Sequence, residues 1–365
     1  MKILNGTRTI RRFKVFQNDE SMSFAEISEI LTKFGFTDPE NNDKTELTMG
    51  FVHSGDIFQN IFNEDDYNSQ WSFQDDVYGS LRLDEKKLPT AVFKAKAKRK
   101  IREWLTANNR EKIFKKTKDE LLETVALEMY QKIRPKMKTV EFHWNKEENY
   151  LLLFTTSNKS IQIFSDYFYQ AFGHSLEPVT PGMMMNQSAT KDMFFKGEGD
   201  EVINDELNKK FTEWLFYKTA IQADDFEVQM KDGVIVVKSG NKILFDDGAS
   251  KTAISGEYVF DNEETKTAFK QTENQIKEME VFIETPEQTF KLALKGDYLD
   301  ISGLKVMLNS IELDAEDERA TMLIFRKDEY QRVYKILREL YSLFAHDYSN
   351  MEISRQQQIE KTDWE

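Results

Sequence analysis

The chain has 365 residues, 39% hydrophobic and 31% charged, with 28 phenylalanines and a formal net charge of −14. That length suits one large domain or two to three ordinary ones, with bulky aromatics offsetting a modest apolar fraction. The lack of cysteine excludes disulfides, Cys-ligated zinc, iron–sulfur clusters and thiol catalysis.

Residues 1–20 open with a basic arm, Arg8, Arg11, Arg12 and Lys14, and no apolar h-region, so neither a signal peptide nor membrane insertion is expected and the cytoplasm is the expected compartment. Ser23 and Glu26 form a capping-box pattern ahead of Phe24, Ile27, Ile30, Leu31 and Phe34 at helical spacing, with Gly35 as the stop. Leu47–Val52 and Trp71–Leu83 are strand-rich. After Pro89, the residues Phe93, Ala97, Ile101 and Leu105 mark one buried helical stripe, and Lys94, Lys98 and Arg102 run beside it at the same spacing. Asn108–Lys116 is a basic connection to a helix opened by Thr117 and Glu120. Thr139–Trp144 and Tyr150–Thr156 are strands, and Asn158–Phe172 is a helix ending at Gly173.

Residues 182–199 read as a linker, with Met183, Met184 and Met185 filling an irregular gap rather than binding metal. Asp200–Ile221 is a helix, and Phe226–Met230 with Val234–Lys238 a hairpin about Asp232-Gly233. Tyr258–Asp261 reads as extended and Thr265–Lys277 as a polar helix. Met279–Glu284 and Thr289–Leu294 form a strand pair, followed by a helix near Leu304 and a long amphipathic helix, or two shorter ones, over Ala315–Phe344. The expected divisions are 1–181, a linker 182–199, a second α+β region 200–345, and a polar, disordered tail 346–365.

No catalytic, metal or cofactor pattern stands out. His53, His143, His174 and His346 are scattered, and no G-x-S-x-G elbow, P-loop or dinucleotide fingerprint occurs. Asp224/Asp225, Asp246/Asp247 and Asp297/Asp300 are the pairs that could hold a nuclease metal, but each sits where Asp commonly serves a turn. Charge is unevenly placed: Thr90–Lys138 holds 15 Lys and Arg against 6 Asp and Glu, the remainder 35 against 58. Such an island is either a phosphate-binding surface or a solvated helical face.

Six short pieces, in order, carry a resemblance. They are Leu83-Asp84-Glu85-Lys86-Lys87-Leu88-Pro89 before the basic helix, and Lys115-Lys116-Thr117-Lys118-Asp119 at the next helix start. The strand pair Phe142–Trp144 and Leu151–Thr155 leads through Ser157–Lys159 into a helix. Gly173, Ser175, Leu176, Pro178 and Pro181 come next, then Phe211-Thr212-Glu213-Trp214-Leu215 and Asp232-Gly233-Val234-Ile235. Collinear over roughly residues 8–345, they resemble the RdgC family of recombination-associated proteins.

That resemblance implies an α+β chain of antiparallel sheets with long helices, closing head-to-head into a ring-shaped homodimer. It implies a basic central hole that takes DNA without reading sequence, and a nucleoid role limiting recombinase access to DNA. The partners it implies are DNA (duplex and single-stranded), a second copy of the chain, and a recombinase or other recombination protein. No membrane, cofactor or enzymatic activity is implied. Carried onto this sequence, the hole-lining candidates are Lys94, Lys98, Arg102, Lys112, Lys115 and Lys116. Lys238 matches a lysine near a family DNA contact. Ser239 and Gly240 depart from the family pattern there, which weakens that contact or moves it to Lys242.

Where the family has a Leu-Pro-Arg-Ala-Phe gate segment, this chain reads Gln131-Lys132-Ile133-Arg134-Pro135-Lys136-Met137-Lys138. Lys132, Arg134 and Lys136 either bind phosphate or oppose ring closure by like-charge repulsion. Acidic insertions at Asn41–Asp43 and Asn63–Asp66 also depart from the family. Two other readings stay open: a phage- or mobile-element-like factor acting on a host recombination or defence protein, and a metal-dependent nuclease.

Overall fold

A computed structural model describes residues 7–16, 22–38, 47–63, 71–180, 210–222, 225–231, 233–257, 259–270, 275–295, 298, 300–307 and 318–349. The class is α+β, built on antiparallel strands, as the sequence resemblance implies. The chain divides into two compact units that interleave in sequence: one holds residues 1–20, 73–77 and 143–365, the other 21–72 and 78–142. The expected linker at 182–199 lies outside the described residues. The expected region 1–181 contributes to both units.

In the larger unit, β1 (Arg8–Phe16) lies between β13 (Asp300–Met307) and β6 (Tyr150–Leu153). The sheet continues from β13 through β12 (Thr289–Lys295), β11 (Gln275–Glu284) and β9 (Gly233–Asp246) to β10 (Lys251–Ser255). β7 (Ser175–Pro178) pairs with β1, and β8 (Phe226–Met230) with β9. The β8–β9 hairpin turns where the sequence places it, with Met230 opposite Gly233, but β9 runs on to Asp246. The basic arm is this strand β1, and its arginines are structural. Arg11 donates to both carboxylate oxygens of Asp300, at 2.7 and 2.6 Å. Arg8 meets Glu329 at 2.7 Å, and the Arg12 guanidinium sits 4.6 and 4.9 Å from the rings of Tyr150 and Tyr334.

The helices of this unit are α4 (Asn158–Phe172), α5 (Glu263–Lys270) and α6 (Glu318–Ser349), with a helical run at 210–216 that loosens into a π turn at Tyr217–Gln222. α4 matches its expected span, and Gly173 ends it at φ 70°, a left-handed conformation that a Cβ would strain. Its Phe164, Phe168 and Phe172 are buried, and the last two stand edge-on to Trp144. The helical residues expected at 200–209 lie outside the described residues. The C-terminal helix continues past Phe344. Asp347 accepts from the Trp214 indole at 3.0 Å and pairs with Lys218 at 3.1 Å, so 346–349 belong to α6 and not to a disordered tail.

Three local expectations are corrected. The segment near Leu304 is strand β13, not helix. A register shift sets Ile301–Leu304 opposite Ile10–Arg8, so the two buried residues fall three apart and imitate a helical period. Val259–Asp261 is a 3-10 turn rather than extended chain. The polar helix stops at Lys270, and by Gln275 the chain has entered β11.

In the smaller unit, β2 (Leu47–His53) pairs antiparallel with β4 (Asp76–Glu85), Phe51 opposite Leu81. β3 (Ser72–Phe73) also pairs with β4, and β5 (Lys136–Asn145) is a further neighbour of β4. α1 (Phe24–Lys33) forms its capping box: Ser23 Oγ accepts from the Glu26 N–H, and the Glu26 carboxylate accepts from the Ser23 N–H at 2.7 Å. Such a cap contributes about 1 kcal/mol. Ile27, Leu31, Phe51, Phe62, Trp71, Leu81 and Phe142 form the core. β4 and β5 each run from one unit into the other.

Candidate nucleic-acid interface

The basic island folds as a helical hairpin in the smaller unit: α2 (Thr90–Ala107) turns through residues 108–114 into α3 (Lys115–Tyr130). α2 packs chiefly on α3. Ala97 is the one fully buried side chain of α2, with Phe93, Ile101, Trp104 and Leu105 half-buried beside it. On α3, Val125, Met129 and Tyr130 are buried. Most of the hairpin's surface therefore remains open, and that surface is cationic.

Lys94, Lys98 and Arg102 stand exposed along one flank of α2 at i, i+4 and i+8. A rise of about 1.5 Å per residue sets successive cations about 6 Å apart along the axis. None of the three has a carboxylate within ion-pair distance among the described residues. Their neighbours differ. Arg99 pairs with Glu103 at 3.4 Å, and Lys100 reaches Glu128 of α3 at 3.5 Å. Both pairs are exposed and contribute at most about 1 kcal/mol each.

Lys112 in the turn and Lys115 and Lys116 in the first turn of α3 are likewise exposed and unpaired among the described residues. So are Lys132, Arg134 and Lys136, on the segment that leaves α3 and enters β5, where Met137 is also 43% exposed. Like charges at this density repel one another in isolation, and an anionic partner relieves that repulsion.

Lys238 and Lys242 belong to the larger unit and stand differently. The Lys238 ammonium lies 3.0 Å from Glu284 and 3.2 Å from Asp225, and the hydrogen bond to Glu284, then that to Asp225, raises its pKa. Lys242 meets Glu278 at 3.3 Å. Each must loosen a carboxylate before it can receive a phosphate. The eleven nominated cations thus separate into a group of nine in the hairpin and its exit segment and a group of two in the other unit.

The four described carboxylates among the metal-binding candidates have other partners. Asp247 accepts from the backbone of Ala249 and Ser250 in the β9–β10 turn, and Asp246 accepts from Gly248 N. Asp225 pairs with Lys238 and Asp300 holds Arg11; Asp224 and Asp297 lie outside the described residues. Among the described residues no three His, Asp or Glu side chains gather as a cation site. His53 bonds the Ile61 carbonyl at 2.8 Å and His143 bonds Asp76.

Phe114 is a residue the sequence does not single out. It lies in the turn and is 69% exposed, with the Arg110 guanidinium 5.6 Å from its ring. An isolated Phe between basic residues carries no periodic signal, and only its exposure in the fold singles it out.

Comparison with known families decides the relationship. The family model described as "Putative exonuclease, RdgC" matches residues 10–193, half of the chain, including the whole hairpin and its exit segment. The chain belongs to the RdgC family. No curated protein matches it. Within this RdgC chain the family match covers β1 from Ile10 onward, where Arg11 is buried, and the α2–α3 hairpin, where the cations are open. Among the described residues no helix is long and apolar enough to cross a membrane.

Proposed function

We propose that this RdgC-family chain binds DNA through phosphate contacts made by the α2–α3 hairpin, without strong sequence preference and without catalysing a reaction. Family membership supports a recombination-associated DNA-binding role. The observation that carries the reading is the flank of Lys94, Lys98 and Arg102, exposed and unpaired among the described residues in a chain of net charge −14. An acidic protein with one flank of cations unpaired among the described residues can attract a polyanion there while repelling it elsewhere. Such contacts neutralise phosphates and release counterions but do not read bases.

In this proposal Lys112, Lys115, Lys116, Lys132, Arg134 and Lys136 extend the contact. Lys238 and Lys242, in the other unit, receive phosphate only after exchanging carboxylate for it. Two copies would form a ring around DNA and limit recombinase access, in the cytoplasm at the nucleoid. The test is Lys94→Glu, Lys98→Glu and Arg102→Glu together. DNA binding is expected to vanish while the circular dichroism spectrum and oligomeric state stay unchanged. Undiminished affinity would remove the hairpin from the interface.

A second reading has one observation behind it: the family's own description contains the word exonuclease. It calls for end-labelled DNA incubated with Mg²⁺ or Mn²⁺. Metal-dependent shortening from the ends would replace the non-enzymatic reading.

A further inference from the structure

The turn between α2 and α3 presents an aromatic ring to solvent. Phe114 is 69% exposed, although phenylalanine is among the residues most often buried. Asn109, at φ 50°, takes a left-handed conformation in the turn just after α2, a conformation that asparagine tolerates better than most side chains. The surroundings of the ring are cationic: Arg110 lies against it at 5.6 Å, and Lys112, Lys115 and Lys116 flank it, unpaired among the described residues. Phe114 also occupies the N-cap of α3, where it supplies no side-chain acceptor, so the first backbone N–H groups of α3 have no side-chain cap.

Ring, cations and amide donors together match one kind of ligand. A site for phosphate alone has no use for an exposed phenyl ring. An apolar docking surface has no use for a surrounding set of unpaired cations. Unstacked DNA offers both chemistries at once, a flat base face and a phosphate on either side of it.

Resting on the DNA-binding reading above, we infer that the hairpin tip is a binding site for unpaired DNA bases. One base stacks on Phe114, and the adjoining phosphates lie against Lys112, Lys115, Lys116 and the amide end of α3. An intact duplex keeps its base faces stacked and gains only the phosphate contacts. The tip therefore adds affinity at single-stranded stretches, gaps and frayed ends.

The experiment compares intact duplex with the same duplex carrying a short single-stranded gap, labelled in the gap with 2-aminopurine. The full chain is used as wild type, Phe114→Ala and Phe114→Trp. Wild type is expected to prefer the gapped DNA and to change the 2-aminopurine emission. Phe114→Ala is expected to lose at least about fivefold in affinity for the gap, the lower end of what one base–aromatic stack contributes, with intact-duplex affinity unchanged. Phe114→Trp is expected to keep the preference. Equal affinity of wild type for both DNAs, or an unchanged gap preference in Phe114→Ala, overturns the stacking site while leaving the phosphate-contact reading standing. Failure of wild type to bind either DNA at low salt overturns both.

Discussion

His143 Nε2 lies 2.8 Å from Asp76 Oδ1, and both side chains are fully buried. Asn145 donates to the same oxygen at 2.7 Å, and the Lys327 ammonium of α6 lies 2.8 Å from Oδ2. One carboxylate therefore joins the end of β5 to α6 within the larger unit. Burial pushes the Asp76 pKa up, but the hydrogen bond and charge of His143 and the pairing with Lys327 outweigh it and hold the group below its ordinary value.

Asp76→Asn is expected to cost about 3 kcal/mol, because it leaves the Lys327 ammonium without its counter-charge. The pH dependence has a definite sign. A carboxyl with a depressed folded pKa contributes fully above its unfolded value, about 4, and loses that contribution as pH falls through the folded value. Urea midpoints taken down an acid series should fall more steeply for wild type than for Asp76→Asn. Parallel curves would mean that this carboxylate carries no linkage.

His174 is a second group whose burial makes stability depend on acid. It is buried, neither ring nitrogen has a hydrogen-bond partner among the described residues, and burial lowers its pKa. The fold holds it neutral. The unfolded chain takes up the proton first, so stability is fully present above about pH 6.5 and declines as pH falls toward the folded value. Replacing the ring by Phe (His174→Phe) should flatten the loss of stability between about pH 7.5 and about pH 5.5. An identical loss in the variant would contradict this.

Gly50 sits in β2 where a Cβ would run into the Phe36 backbone. Backbone cannot rotate aside as a side chain can, so Gly50→Ala is expected to lower stability by about 3 kcal/mol, at the upper end of the usual overpacking cost. A thermal midpoint within about 1 °C of wild type, far less than such a loss produces, would show that the β2–Phe36 approach relaxes.

The two groups of cations should separate in salt dependence. Lys94→Ala, Lys98→Ala and Arg102→Ala together are expected to reduce the slope of log affinity against log salt by about three, near 0.9 for each phosphate no longer neutralised. Lys238→Ala should change it by less than about one, since that ammonium already faces Glu284 and Asp225. A larger effect from Lys238→Ala would move the interface to the other unit.

What could be read from the sequence was what the chain decides locally. The Ser23/Glu26 box, the α4 span with its Gly173 stop, and the β8–β9 hairpin depend on residues a few positions apart. The fate of Arg11 was not legible, because its partner Asp300 is 289 residues away and nothing near Arg11 announces it. β13 imitates a helix in the sequence because its irregular register displaces Leu304 from strand alternation. The interleaved units were hidden for the same reason as Arg11: they depend on which distant strands pair. The cations of the hairpin were visible as composition, but that Lys94, Lys98 and Arg102 lack carboxylate partners among the described residues, and that Lys238 and Lys242 have them, required the fold.

The most direct test of the central claim is binding of the purified chain to labelled duplex and single-stranded DNA across a salt series, with oligomeric state measured alongside. Binding by a dimer that tolerates sequence changes, and that weakens steeply and linearly in log–log form as salt rises, is the expected result. No binding at low salt would contradict it and make a protein the partner to look for.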